Sequence, residues 1–169
     1  MTKSKVCRCL VPVVGFFLLV SVTSCGGSEK SGSSAESKIV ALPDSAYRAE
    51  ITVDSPPPTA PAGGTATATV TIKNVGDKAW PANGNAVVPA MVHLSYHWLD
   101  KDGNVIVQDG IRTALPTSLN PGASVSVKAK VVYPKSPGDY ILEFDMVHEL
   151  ITWFALKKSQ TAKIEIKVT

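Results

Sequence analysis

From Tyr47 to Val168, apolar side chains recur at every second position and polar ones fill the gaps. Six sets stand out: Tyr47, Ala49, Ile51, Val53; Ala66, Ala68, Val70, Ile72; Val92, Leu94, Tyr96, Trp98; Val125, Val127, Ala129, Val131; Tyr140, Leu142, Phe144, Met146; and Ala162, Ile164, Ile166, Val168. A period of two belongs to strands with one buried face. A seventh strand is predicted over 105–108, between Asp102-Gly103 and Asp109-Gly110, pairs that suit hairpin turns because Gly and Asp tolerate positive φ. No stretch carries a helical period. About seven short strands separated by Pro and Gly turns predict an all-β chain folded as an antiparallel β-sandwich.

Two landmarks refine that expectation to the immunoglobulin-like kind. Trp98 lies on the third strand, where such domains place their core Trp. Tyr140 opens the sixth strand directly after Pro137-Gly138, the place of the tyrosine corner. Leu142 stands where the disulfide Cys would be, so Leu142 and Trp98 are expected to fill the space between the sheets.

The stretch Thr71-Ile-Lys-Asn-Val-Gly-Asp-Lys-Ala-Trp80-Pro81, with Leu119-Asn-Pro-Gly122 and Pro134-Lys-Ser-Pro-Gly138-Asp-Tyr140, resembles the four-tryptophan, immunoglobulin-like domain of autophagy receptors and bacterial proteins. The run Leu94-Ser-Tyr-His-Trp-Leu-Asp100, with Asp109-Gly-Ile-Arg112-Thr, Leu115-Pro116 and Trp153-Phe154, is similar to β-sandwich modules appended to bacterial enzymes of surface-polysaccharide assembly. The first resemblance implies peptide binding and the second a glycan role. Three Trp are present, and no catalytic domain is expected beside them.

The first 24 residues have a different character. Lys3, Lys5 and Arg8 precede an apolar run over 10–22, as in a secretory signal. Val22-Thr23-Ser24-Cys25 then resembles the lipobox of bacterial lipoproteins, which implies acylation of Cys25, cleavage before it and anchorage in the lipid bilayer. The following Gly, Ser and charged residues, 26–38, have the composition of a flexible tether. The expected organisation is a signal over 1–24, lipidated Cys25 and tether over 25–42, and a sandwich over 43–169. Location in the cell envelope follows, and Gly26 after the Cys favours the outer membrane where there is one.

Charge and cysteine counts exclude several classes. The three basic residues of the signal leave 14 basic against 14 acidic in the rest of the chain, so nucleic acid is not an expected partner. Cys7 and Cys9 depart with the signal and Cys25 carries lipid, which leaves no thiol for a disulfide, a metal or nucleophilic catalysis.

Catalytic motifs are missing. No Gly-x-Ser-x-Gly elbow or phosphate-cradling loop occurs, and His148-Glu149-Leu150-Ile151-Thr152 lacks the second His of the zinc-protease motif. No enzyme activity, metal or cofactor is expected. Strand alternation places His93, Ser95 and His97 on an outward stripe, opposite Ile141, Glu143, Asp145, Val147 and Glu149, an ordinary arrangement of solvated cross-strand pairs. Loop-borne Trp153, Trp80 and Arg112, with Asp145, form the candidate ligand site. Adjacent strand residues face opposite ways, so a buried Phe154 leaves Trp153 outside as the anchor. Trp80 and Trp153 each have a second reading as structural aromatics, Trp80 folded over the sandwich end, and Arg112 has one as the partner of Asp100 or Asp109. The expected function is a non-catalytic binding or assembly module for surface glycan or a partner protein. The alternatives are a metal-binding or hydrolytic domain using His93, His97, Asp145 and His148, and a structural spacer.

Overall fold

The computed structural model describes residues 39–54, 59–84 and 88–169. The signal, Cys25 and residues 26–38 lie outside them. The described chain is an immunoglobulin-like β-sandwich. One sheet holds β1 (Ala49–Asp54), β3 (Thr65–Asn74) and β7 (Ser124–Val132) in the order β1-β3-β7. The other runs β2-β10-β8-β4-β5, from β2 (Thr59–Ala60) through β10 (Ala162–Val168), β8 (Gly138–His148) and β4 (Val92–Asp100) to β5 (Val105–Val107). Two short strands extend this sheet: β6 (Thr113–Ala114) pairs with β4, and β9 (Thr152–Trp153) with β8.

All seven expected strands are present, and β2, β6 and β9 are additions too short to show alternation. The ladders are antiparallel except that of β2, which lies parallel to β10. β1 and β2 lie in different sheets, and the sequence between them holds Pro56, Pro57 and Pro58, which have no N–H to offer a ladder.

The inward sets meet as expected. Trp98 pairs with Leu142 across β4 and β8, and both are fully buried with Tyr96, Phe144, Val70, Ile72, Val131 and Ile166. Burying each large apolar side chain stabilises the fold by roughly 1.5–3 kcal/mol. The Tyr140 hydroxyl donates to the Ser136 carbonyl at 3.1 Å, the bond of a tyrosine corner.

The end of the sandwich where the described chain enters is closed by aromatic rings. Phe154 meets Tyr47 and Trp80 edge-on, at 5.1 and 5.0 Å between centroids. The Asn-Val-Gly segment explains itself here. Asn74 Nδ2 donates to the carbonyls of Lys78 and Leu119, and its Oδ1 accepts the Gly76 N–H at 2.9 Å. Gly76 lies so close to the Ala46 carbonyl that a Cβ has no room.

Candidate functional site

The stripe expected in solvent is buried. On the outer face of the larger sheet Ser95 stands opposite Asp145, and His97 opposite Glu143. His93 and Ser95 are only 1% exposed and His97 6%, while Asp145 is fully covered. Alternation specifies the face of a side chain but not what lies over it. Two local segments cover this face: the loop over 108–112, and β9 with the 3₁₀ turn Ala155–Lys157 that follows it.

Gly110 makes the first cover possible. Its N–H donates to the Tyr96 carbonyl at 2.9 Å, and a Cβ would stand 2.5 Å from that oxygen. Asp109-Gly110 is therefore a close approach, not the positive-φ turn expected. The turn role belongs to Gly103, with φ +86° between β4 and β5. Asp100 also accepts three hydrogen bonds there, from Asp102 N–H and from the backbone and side chain of Asn104, and they lower its pKa.

Arg112 ties the loop down. Its Nε donates to Glu149 at 2.7 Å, Nη2 to Asp109 at 2.8 Å, and Nη1 to Ser95 Oγ and the Gly110 carbonyl. Burial opposes the charge, but Asp109 and Glu149 outweigh it and raise the pKa. Of the two expected carboxylate partners Asp109 is present. Glu149 was not anticipated, because it lies 37 residues away on another element. All three guanidinium nitrogens are engaged, so Arg112 acts as a clamp.

Trp153 takes the outer side and Phe154 the buried side, as expected. The Trp153 ring is half-buried. It packs 4.3 Å from the His97 ring and 4.7 Å from the Arg112 guanidinium, so ring surface expected to be open to a ligand is already used. Asp145 accepts N–H bonds from Met146 at 2.7 Å and Ala155 at 3.2 Å, and its Oδ2 lies 3.9 Å from His97 Nε2. His97 Nδ1 donates to the Gln108 carbonyl. Burial depresses the His97 pKa, yet Asp145, the Gln108 carbonyl and Glu143 outweigh it and the net shift is upward. A cleft of about 180 Å³ remains open beside Trp153, bounded by Gln108, Glu143, Val105 and Leu156.

Trp80 is fully buried, its Nε1 donating to the Ala46 carbonyl at 2.7 Å, which makes it the cap of the sandwich end and removes it from the ligand site. His148 faces inward, away from His93, His97 and Asp145. Its Nε2 donates to the Ala90 carbonyl and its Nδ1 accepts from the Tyr47 hydroxyl, both at 3.0 Å. The four residues of the metal or hydrolytic alternative therefore do not converge. Among the described residues no group of three His, Cys, Asp or Glu is placed to hold a metal ion.

A second depression was not anticipated. Between the edges of β5 and β7 runs a groove of about 430 Å³, with Tyr96, Trp98 and Tyr133 in its floor and Val107, Ile111 and Val132 along its walls. Exposed Ile106 stands next to Val107 on β5, while exposed Val105 borders the cleft beside Trp153. Two polar atoms of the floor are paired: the Tyr96 hydroxyl accepts the Val132 N–H, and Trp98 Nε1 donates to the Val132 carbonyl. One sequence signal for the groove existed, three consecutive β-branched residues at 105–107 that break the alternation.

No family model and no curated protein matches the chain. Among solved structures it is similar to the CARDB domain of a Pyrococcus furiosus protein at 17% identity and TM-score 0.40, covering 72% of this chain and 96% of that one. It is also similar to β-glucosidase from Listeria innocua at 15% identity and TM-score 0.43, covering 72% of this chain and 16% of the enzyme. The sporulation control protein Spo0M of Bacillus subtilis matches at 12% identity and TM-score 0.41, covering 72% and 48%.

Proposed function

We propose that the protein is a bacterial cell-envelope lipoprotein, anchored through Cys25, whose sandwich is a non-catalytic module for contact with a partner protein. The supporting observation is the groove between β5 and β7, along which Val107, Ile111 and Val132 are exposed, with exposed Ile106 next to Val107 on β5. The polar atoms of Tyr96 and Trp98 are already spent on Val132, so the part of the floor they form presents apolar ring surface. Apolar protein side chains need only the surface.

The test is photo-crosslinking in intact cells from residue 106 of the full chain. A discrete protein adduct that Ile111→Asp abolishes, with Ile111→Asp still in the membrane fraction, is the expected result. An absent adduct, together with undiminished binding of envelope polysaccharide by Ile111→Asp, overturns the partner reading. Mass spectrometry of the native protein tests the anchor separately, since an unmodified Cys25 refutes it.

Glycan contact is the second reading, favoured by the 180 Å³ cleft where Gln108 and Glu143 stand beside Trp153. Asp145 and Arg112 would there act by holding His97 and Trp153 in place.

A further inference from the structure

β7 ends the order β1-β3-β7, so one edge of this strand pairs with no other strand. The phase of its hydrogen bonds is fixed at both ends of the β3 ladder, where the Tyr133 N–H donates to the Gly64 carbonyl and the Asn74 N–H to the Ala123 carbonyl. In an antiparallel pair, residues that bond across alternate with residues that do not. Val125, Val127, Ala129 and Val131 therefore bond to β3, and the even-numbered residues turn their N–H and C=O along the free edge. Val132 fits this phase, because its N–H and C=O are the groups held by Tyr96 and Trp98. Ser124, Ser126, Lys128 and Lys130 are exposed, and among the described residues their edge groups have no backbone partner. β6 comes near β7 but gives it no backbone hydrogen bond.

Such an edge is a template for another strand, and its side chains select which one. Lys128 and Lys130 stand on the outer face, and among the described residues neither has an ion pair. Lys128 donates to the neutral Thr69 hydroxyl, which leaves its charge uncompensated. The carboxylates of that face, Glu50 and Asp54, stand on β1, beyond β3. Two copies of β7 side by side would gather four of these lysines on one ribbon, and like charges oppose that. Acidic side chains at alternate positions of an added strand meet the lysines favourably.

The groove begins where this edge ends. Val132, with its backbone already satisfied, lines the groove together with Tyr133, Pro134 and Lys135. A strand paired along residues 124–130 is thus led past Val132 onto the apolar surface.

We infer that the partner of the groove adds an extended segment to the free edge of β7, with Asp or Glu at alternate positions facing Lys128 and Lys130 and apolar residues where it enters the groove. The inference rests on the partner-protein reading. Its test follows the adduct crosslinked in intact cells from residue 106 of the full chain. Ser126→Pro removes an edge N–H that β3 does not use. Ser126→Ala is the reference, since it loses the same hydroxyl contact with Thr71 but keeps the N–H.

At equal amounts in the membrane fraction and unchanged melting temperature, Ser126→Pro should lower the adduct yield roughly three-fold or more against Ser126→Ala. The double variant Lys128→Glu, Lys130→Glu should lower it by a similar factor against the parent chain. Undiminished adduct in Ser126→Pro overturns strand addition and leaves the partner reading intact. Undiminished adduct in the double variant overturns the acidic partner, as does an adduct made of two copies of this chain. Should Ser126→Pro melt early, hydrogen exchange on the purified crosslinked complex decides. The N–H groups of residues 126, 128 and 130 should then exchange roughly ten-fold or more slowly than in the chain alone, and unchanged exchange overturns the inference. A parent chain that forms no adduct removes the partner reading and this inference with it.

Discussion

The indole N–H of Trp98 donates to the Val132 carbonyl across 2.9 Å, from the middle of one sheet to the edge of the other. The Val132 N–H is held in turn by the Tyr96 hydroxyl at 3.0 Å. Two side chains of β4 thereby satisfy an edge-strand residue that has no neighbouring strand on that side. This closes part of the edge to further strand pairing and leaves apolar surface open beside it.

Trp98→Ala should destabilise the protein by about 3–5 kcal/mol, since it empties a fully buried aromatic site. Trp98→Phe keeps part of the volume but frees the Val132 carbonyl, and should cost roughly 1–3 kcal/mol. Urea denaturation at constant slope measures both.

Trp153→Ala should lower stability by roughly 1–3 kcal/mol, because the ring covers His97 and lies against Arg112. A ligand anchor free of structural duty would leave the melting temperature unchanged. Differential scanning calorimetry decides between the two.

The two histidines of opposite environment should titrate in opposite directions. His148, buried between Tyr47 and Ala90, is depressed below its ordinary value of 6.5, and His97, beside Asp145 and Glu143, is raised above it. The depressed group contributes stability that is complete above 6.5 and lost as pH falls from there through its folded value. The raised group contributes stability that is complete below 6.5 and lost as pH rises through its folded value. NMR titration of the imidazole resonances should give midpoints on the two sides of 6.5.

Gly110→Ala should cost roughly 1–3 kcal/mol or more, because its Cβ would collide with the Tyr96 carbonyl and lift the loop from β4. Gly103→Asn should be nearly neutral, since nothing stands within 4 Å and Asn tolerates φ +86°. Chemical denaturation of the two variants checks the difference between them.

The inward sets, with Trp98 and Leu142 among them, were readable from the chain alone, because a strand's two faces alternate and the burial of one face leaves a period of two; the Tyr140 corner was legible from Pro137-Gly138 before it, and the register that sets Trp98 opposite Leu142 came from the structure. Phe154 could be placed inside by the same rule once its neighbour was placed outside. The fate of the outer face was not readable. His93, His97 and Asp145 occupy positions of a solvated surface, and they are buried because Gly110 folds back onto Tyr96, 14 positions before it, Ala155 onto Asp145, 10 positions before it, and Trp153 pairs with Val147. Arg112 meets Glu149 across 37 residues, and Tyr47 meets His148 across 101. Pattern is a property of one strand and its two faces. Cover, clamp and groove arise from the meeting of segments whose spacing in the chain says nothing of their distance in space, and only the tertiary structure brings them together.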